Sequence, residues 1–146
     1  MIRVAAFFPE DLDQIRPAHL RAIGDAGLIK SSVVPEYART AFHVERPVAA
    51  AGVVPLWSGV GQGWLMVDEV LPDRMGLLLA MRRGLREIVE SGPFHRVQAD
   101  VRKDFLLGQR LLRVLGFTEE GPLWAYSSDG VDHVRFSLVS RELIDS

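Results

Sequence analysis

The sequence holds four histidines and no cysteine, which limits the chemistry that its side chains can perform. The histidines lack the spacing of metal ligands, so we expect no metal site. His95 precedes a strand-like segment, and we assign it to the surface or to packing rather than to base catalysis. There is no Gly-x-Ser-x-Gly elbow and no thiol nucleophile, which excludes the common hydrolase interpretations. The histidines are His19, His43, His95 and His133.

Charged residues follow two apolar segments at positions where a sheet would present them to a ligand. The segment 64–67 is continuously apolar, as expected for a central strand covered on both faces, and it leads into Asp68 and Glu69. The second segment alternates polar and apolar residues and ends at Arg102-Lys103. Ligands of open α/β sheets bind beyond the carboxyl ends of the strands, so we expect a site near Glu69-Val70 and Arg102-Lys103.

A glycine-rich stretch resembles a phosphate loop only superficially. Gly59-x-Gly61-x-Gly63 lies between two strand-like segments instead of before a helix, so it predicts a hairpin turn. The same turn divides the uncharged stretch 48–67, which is long enough to cross a bilayer. Two strands explain that stretch better than a spanning helix, and we expect no membrane partner.

The elements that position these residues alternate between strands and helices. Helices are predicted from Pro9-Glu10-Asp11 up to Pro17, from 18 to about 26, from Pro72-Asp73 to residue 91, and from a cap at Asp104 to Gly116. The segment 64–101 is a strand–helix–strand unit, which predicts two parallel strands and a right-handed crossover. The predicted strands are 2–8, 40–44, 48–56, 64–69, 96–102, 123–126 and 131–139.

Length and composition indicate one globular domain over residues 1–146. The hydrophobic fraction is 48% and the charged fraction 25%, which are typical of a folded domain and not of a disordered chain. Its net charge of −2 argues against a nucleic-acid partner. We expect a soluble cytoplasmic protein, because the amino terminus has no signal-peptide core.

Three segments of the second half resemble the GNAT N-acetyltransferase superfamily. The most specific part is Leu115-Gly116-Phe117 followed by Glu120-Gly121. Arg96 before its strand and the late Asp129-Gly130 also resemble small GNAT-like proteins encoded by bacteriophages. The segments are 64–72, 96–101 and 115–121.

The resemblance implies an α/β (α+β) fold. It is a mixed, mainly antiparallel, seven-stranded sheet with a central parallel strand pair and helices on both faces. The gap between the parallel strands would hold acetyl-CoA, whose pantetheine pairs with the backbone of the strand at 64–70. The pyrophosphate would rest at the start of the following helix, where free amides attract anions. The residues implied to bind the coenzyme are Val67, Asp68, Val70, Arg74, Met75 and Gly76.

The resemblance also implies two catalytic groups. Glu69 ends the central strand and is the candidate general base, acting directly or through water. The general-acid tyrosine of the family falls at Leu112 in this sequence, and Tyr126, expected on the next strand, is the candidate substitute. The helix-start loop also lacks most of the family's glycines, with Met75 and Leu77 in their place.

Two functions therefore stay open. The first is an acetyl-CoA-dependent N-acetyltransferase acting on a small-molecule or protein amine. The second is a catalytically silent interaction or structural protein of the same fold, such as part of a phage particle; a phage-encoded chain would lie in the host cytoplasm or the virion. For either function, exposed strand edges favour a homodimer. Trp57, Trp64 and Trp124 are expected in the core or at its rim, and exposure of two of them would favour a protein interface.

Overall fold

The computed structural model describes residues 2–24 and 26–140, with the backbone alone for 17–21 and 26–28. Four helices are α1 (Asp11–Gln14), α2 (Ala26–Ser32), α3 (Arg74–Ser91) and α4 (Leu106–Val114), and a 3₁₀ turn spans Pro35–Tyr37. The strands are β1 (Ile2–Ala6), β2 (Pro17–Ile23), β3 (Ala38–His43), β4 (Arg46–Trp57), β5 (Val60–Asp68), β6 (Arg96–Arg102), β7 (Thr118–Leu123) and β8 (His133–Val139).

All of these strands belong to one open sheet. Its continuous order is β1-β3-β4-β5-β6-β8-β7, and β2 pairs with β5 outside that order. Every pairing is antiparallel except that of β5 with β6. The predicted fold class is confirmed: seven strands form the continuous order around one parallel pair, and β2 is an addition to it.

The parallel pair is short, and this positions the candidate site. Residues Val60–Gln62 of β5 pair with Arg96–Gln98 of β6, and within the described residues the pairing of these two strands ends there. The carboxyl half of β5 instead pairs with β2 on that edge, while β4 pairs along the whole of the other edge. β5 and β6 therefore separate after three residue pairs.

The two faces of the sheet carry different cores. Alternate residues of β5 point to opposite faces. Leu65 and Val67 join the larger core under α3 and α4, and Trp64 and Met66 join the smaller core with residues of α1 and α2. Phe136 of β8 is completely buried in the larger core. Helices thus cover both faces, as expected.

Several predicted elements are confirmed. The bounds of β6 match the prediction, and α3 begins after Asp73, whose side chain accepts a hydrogen bond from the Gly76 amide. The glycine turn is a hairpin between β4 and β5, with Gly59 at a φ of +79°. A Cβ there would lie 2.1 Å from the His95 ring, so His95 has the expected packing role.

Three predictions of local structure are wrong. The segment predicted as a helix from residue 18 to about 26 is mainly strand β2, since its backbone pairs with β5. Strand β7 ends at Leu123, so the predicted strand 123–126 is the start of a loop. Asp104 does not cap α4: the N-cap is Phe105, and the Asp104 carboxylate binds Arg102 instead.

The uncharged stretch 48–67 forms strands β4 and β5 and the turn between them. No helix among the described residues is long and apolar enough to cross a membrane.

Truncation of Phe136 tests the packing of the sheet on α3 and α4. We expect Phe136→Ala to lower the free energy of unfolding by about 3–5 kcal/mol, because it leaves a cavity in the larger core. Val114→Ala is the control, since Val114 is 52% exposed and should cost less than about 0.5 kcal/mol. Urea denaturation measures both values, and equal losses would contradict this description of the core.

Candidate functional site

The candidate site lies where β5 ends. Two residues there face opposite environments: Asp68 is completely buried, and the Glu69 side chain is 50% exposed. Residues 64–67 of β5 are apolar on both faces, as the sequence predicts. Its end is where buried backbone meets solvent.

Asp68 binds three segments of the chain together. One carboxylate oxygen accepts a hydrogen bond from the Arg16 amide at 2.7 Å. The other accepts from Arg46 Nη2 at 2.7 Å and from the Val70 amide at 3.0 Å. Nε of the Arg16 guanidinium lies 3.5 Å from Asp68 Oδ1. These donors offset the cost of burying a charge.

The pKa of Asp68 reflects this arrangement. Burial works to raise the pKa of the carboxyl, but hydrogen bonds from the Arg16 and Val70 amides and from the Arg46 and Arg16 side chains outweigh it. The pKa falls from its usual 3.8 to about 2. Asp68 is therefore ionised at neutral pH, and its side chain acts as a structural anchor.

Glu69 also contacts the segment before β2. Its amide donates to the Arg16 carbonyl oxygen at 2.8 Å, and Oε1 of its carboxylate lies 4.0 Å from Arg16 Nη1. The half-exposed carboxylate is accessible to a substrate. The amide, in contrast, is already bound within the chain.

An apolar groove lies between α3 and α4. It has a volume of about 230 Å³, and Leu65 and Val67 of β5 lie along it. Two exposed cations, Arg74 and Arg110, also line it. The groove therefore combines an apolar wall with positive charge, beside the carboxyl half of β5. Its other lining residues are Leu71, Leu77, Leu78, Met81, Phe105, Leu107, Gly108, Leu111 and Val114.

The Asp73 carboxylate occupies the start of α3, where a phosphate group of a ligand would bind. Asp73 Oδ1 accepts from the Gly76 amide at 2.9 Å, and a Cβ added at Gly76 would lie 2.3 Å from Asp73 Oδ2. This amide is the kind of donor that a pyrophosphate would use. Access to it requires Asp73 to move.

The remaining residues predicted to bind the coenzyme have varied surroundings. Val67 is buried and lines the groove, and Val70 is 53% exposed. Met75 is 66% exposed and does not line the groove. Leu112, at the position of the family's tyrosine, is buried in the larger core.

The Tyr126 hydroxyl binds Asp100 of β6 and not a residue at the end of β5. Tyr126 belongs to the loop between β7 and β8, not to a strand as predicted. Its hydroxyl donates to Asp100 Oδ2 at 3.1 Å, and burial, with a contribution from Asp100, raises the pKa of the phenol. Asp100 is bound by both Arg135 Nε (2.8 Å) and Arg135 Nη2 (3.0 Å). Glu69 and Tyr126 thus belong to different polar clusters.

The cluster around Asp100 is a polar network on one face of the sheet. Gln62 Nε2 donates to Asp100 at 3.2 Å, and Gln98 Nε2 donates to Gln62 at 3.0 Å. The alternation of residues 96–102 predicts the inward face of β6, but not that Gln98 and Asp100 are buried.

The partners of Asp68 are not predictable from local patterns either. Arg16 and Arg46 lie 52 and 22 residues from Asp68 along the chain.

No protein-family model and no curated protein matches the sequence. Solved structures do match. The ribosomal-protein-S5-alanine acetyltransferase of Vibrio fischeri superimposes with a TM-score of 0.76 at 14% identity, covering 97% of this chain and 94% of that one. The fold is that of the GNAT N-acetyltransferases.

Two further structures support the same fold. The ribosomal-protein-S18-alanine N-acetyltransferase of Escherichia coli gives a TM-score of 0.72 at 20% identity, over 95% of this chain and 94% of that one. A GNAT-family acetyltransferase of Streptococcus pneumoniae gives 0.73 at 11% identity, over 95% and 99%. At these identities the likeness establishes the GNAT fold, while the site must be argued from its own residues.

Within the described residues, no group of three or more histidine or acidic side chains is placed to hold a metal ion. The description of side chains does not extend to His19.

The Asp68 anchor should be visible in the pH dependence of stability. The pKa of Asp68 is lowered on folding, so its contribution is present above pH 3.8 and is lost as the pH falls toward about 2. We expect Asp68→Asn to be less stable than wild type near pH 7, with the difference shrinking as the pH falls from about 5 to about 2. Thermal denaturation across that range measures it. A difference independent of pH would contradict the assignment.

Proposed function

We propose that this chain is an acetyl-CoA-dependent N-acetyltransferase with its site at the end of β5. The observation that carries the proposal is the apolar groove between α3 and α4, which runs beside Leu65 and Val67 and bears Arg74 and Arg110. An apolar channel with cations suits a ligand that has a flexible arm and phosphate groups. The GNAT fold supports the same interpretation.

The groove and the helix start fit the coenzyme unequally. Leu65, Val67 and the facing residues of α3 and α4 offer the apolar contact that a pantetheine arm requires. Arg74 and Arg110 are placed to attract phosphates. Asp73 opposes this attraction, because its carboxylate binds the Gly76 amide. We therefore expect weak coenzyme binding.

Glu69 is the proposed general base. The coenzyme supplies an acyl thioester, and an amine must lose a proton to accept the acyl group. The Glu69 carboxylate is half-exposed at the end of the central strand and can take that proton directly or through water. Tyr126 is less suited to act as the acid at this site, since its hydroxyl binds Asp100 in a separate cluster.

A catalytically silent interaction protein is the second candidate. Two observations favour it: Trp57 and Trp124 are 65% and 68% exposed, and β2 pairs with the edge of β5 that the resemblance assigns to the coenzyme. Exposed tryptophans are typical of protein interfaces. The homodimer, the phage association and a small-molecule or protein amine as the acceptor remain predictions of the sequence.

Blocking the groove tests coenzyme binding. Leu107 lines the groove, and its neighbour Leu106 does not, although both are exposed. We expect Leu107→Trp to weaken acetyl-CoA binding by roughly tenfold or more, because the larger side chain fills the channel, and Leu106→Trp to leave it unchanged. Isothermal titration calorimetry measures both. Equal affinities for the two variants would remove the groove from the proposal, and no wild-type binding at millimolar coenzyme would leave only the interaction protein.

Removing the proposed base tests catalysis separately. We expect Glu69→Gln to lower kcat by about 10²-fold or more while coenzyme affinity stays unchanged. Glu45→Gln is the matched control, since Glu45 lies in the exposed turn between β3 and β4. Turnover is followed by thiol release with an amine acceptor. Unchanged turnover in Glu69→Gln would remove this residue from the base role.

A further inference from the structure

The edge of β5 that faces β6 is shared between two partners. β6 pairs with it only at Val60–Gln62. Beyond that, β2 pairs antiparallel, with Ile23 opposite Leu65, Ala22 opposite Met66, and Pro17 opposite Asp68. β2 also contacts β6 and α4. It therefore lies in the space that opens between the two parallel strands.

An extended pantetheine arm and a β-strand make the same kind of contact with such an edge. Each uses backbone donors and acceptors, and a strand edge has one set of them. β2 and the coenzyme arm therefore cannot both pair with residues 65–69. The Glu69 amide illustrates the conflict, because the Arg16 carbonyl already accepts its hydrogen bond.

The pairing of β2 is irregular. Between Pro17 and Ala22 the chain advances five residues while the β5 partners advance from Asp68 only to Met66, which is a register shift. Pro17 has no amide proton to donate. Such an interruption removes ladder hydrogen bonds and makes the strand easier to detach.

Described contacts secure both ends of β2. Ile23 is buried. At the other end, Asp68 accepts the Arg16 amide, and the Arg16 side chain lies near both Asp68 and Glu69. The Arg16 side chain is 56% exposed, and its contacts with Asp68 (3.5 Å) and Glu69 (4.0 Å) are longer than the 2.7 Å contact of Arg46 with Asp68. The link between Arg16 and the end of β5 is thus a latch that can be broken without unfolding the sheet.

We propose that β2 is an autoinhibitory strand that holds the coenzyme-binding edge of β5 and must leave it when acetyl-CoA binds. This inference rests on the proposed function and adds a regulatory step to it. The affinity for coenzyme is then reduced by the fraction of molecules in which β2 is detached. Any change that loosens the latch increases that fraction and strengthens binding.

A covalent lock tests the proposal directly. The chain has no cysteine, so Ala22→Cys/Met66→Cys introduces one pair at opposed positions of β2 and β5. Opposed residues in antiparallel strands are close enough for a disulfide. We expect the oxidised protein to bind acetyl-CoA at least about tenfold more weakly than the reduced protein in isothermal titration calorimetry.

The control lock joins strands away from the site. Ile2→Cys/His43→Cys lies at opposed positions of β1 and β3, and its oxidation should not change binding. Equal binding by the oxidised and reduced Ala22→Cys/Met66→Cys forms overturns the inference and leaves the proposed function standing. No binding by any form, wild type included, overturns both.

A second pair of variants tests the latch without cysteines, and decides the question if the buried Met66 substitution prevents folding. We expect Arg16→Gln to lower Tm and to strengthen acetyl-CoA binding by roughly two- to fivefold, since it weakens the attachment of β2. Arg46→Gln removes an ion pair to the same carboxylate from β4, and should lower Tm without strengthening binding. Unchanged or weaker binding by Arg16→Gln overturns the inference, because weakening the attachment of β2 should increase the fraction of molecules that can bind the coenzyme.

Discussion

The separation of β5 from β6 after three residue pairs is the constraint on which the candidate site depends. Parallel pairing ends at Gln62 and Gln98, so the rest of β5 has one edge that β6 does not use. The groove between α3 and α4 lies beside this part of β5, and β2 fills the edge. A sheet paired along its whole length would offer neither feature.

The buried charge of Asp68 fixes the end of the same strand. An isolated carboxylate in this position would cost several kcal/mol, and the donors of Arg16, Arg46 and Val70 together offset that cost. One residue thereby joins β4, β5 and the segment before β2. Because Asp68 is fixed, the backbone of the next residue, Glu69, is fixed as well, and its carboxylate is half-exposed to solvent.

Local patterns in the sequence predict much of the fold. Strict alternation gives the bounds of β6, and the acidic cap with its apolar spacing gives the start of α3. β2 and β7 were missed for a physical reason. Residues 17–23 begin with a proline and residues 118–123 contain Gly-Pro, so neither has strong strand propensity, and pairing with β5 and β8 decides their conformation.

The site is less predictable than the fold because its contacts join distant residues. Glu69 and Asp68 were found from their place at a strand end. Their partner Arg16 has no local signal, and the contact of Tyr126 with Asp100 depends on a loop whose path only the tertiary structure defines.

The most direct test of the account is a titration of the ¹⁵N-labelled chain with acetyl-CoA, followed by amide chemical shifts. We predict saturable shifts concentrated at residues 65–70 of the central strand and at Arg74 and Arg110 along the groove, with β1 and β7 unaffected. Shifts that are absent at millimolar coenzyme, or that are spread over the surface away from the end of β5, would contradict it.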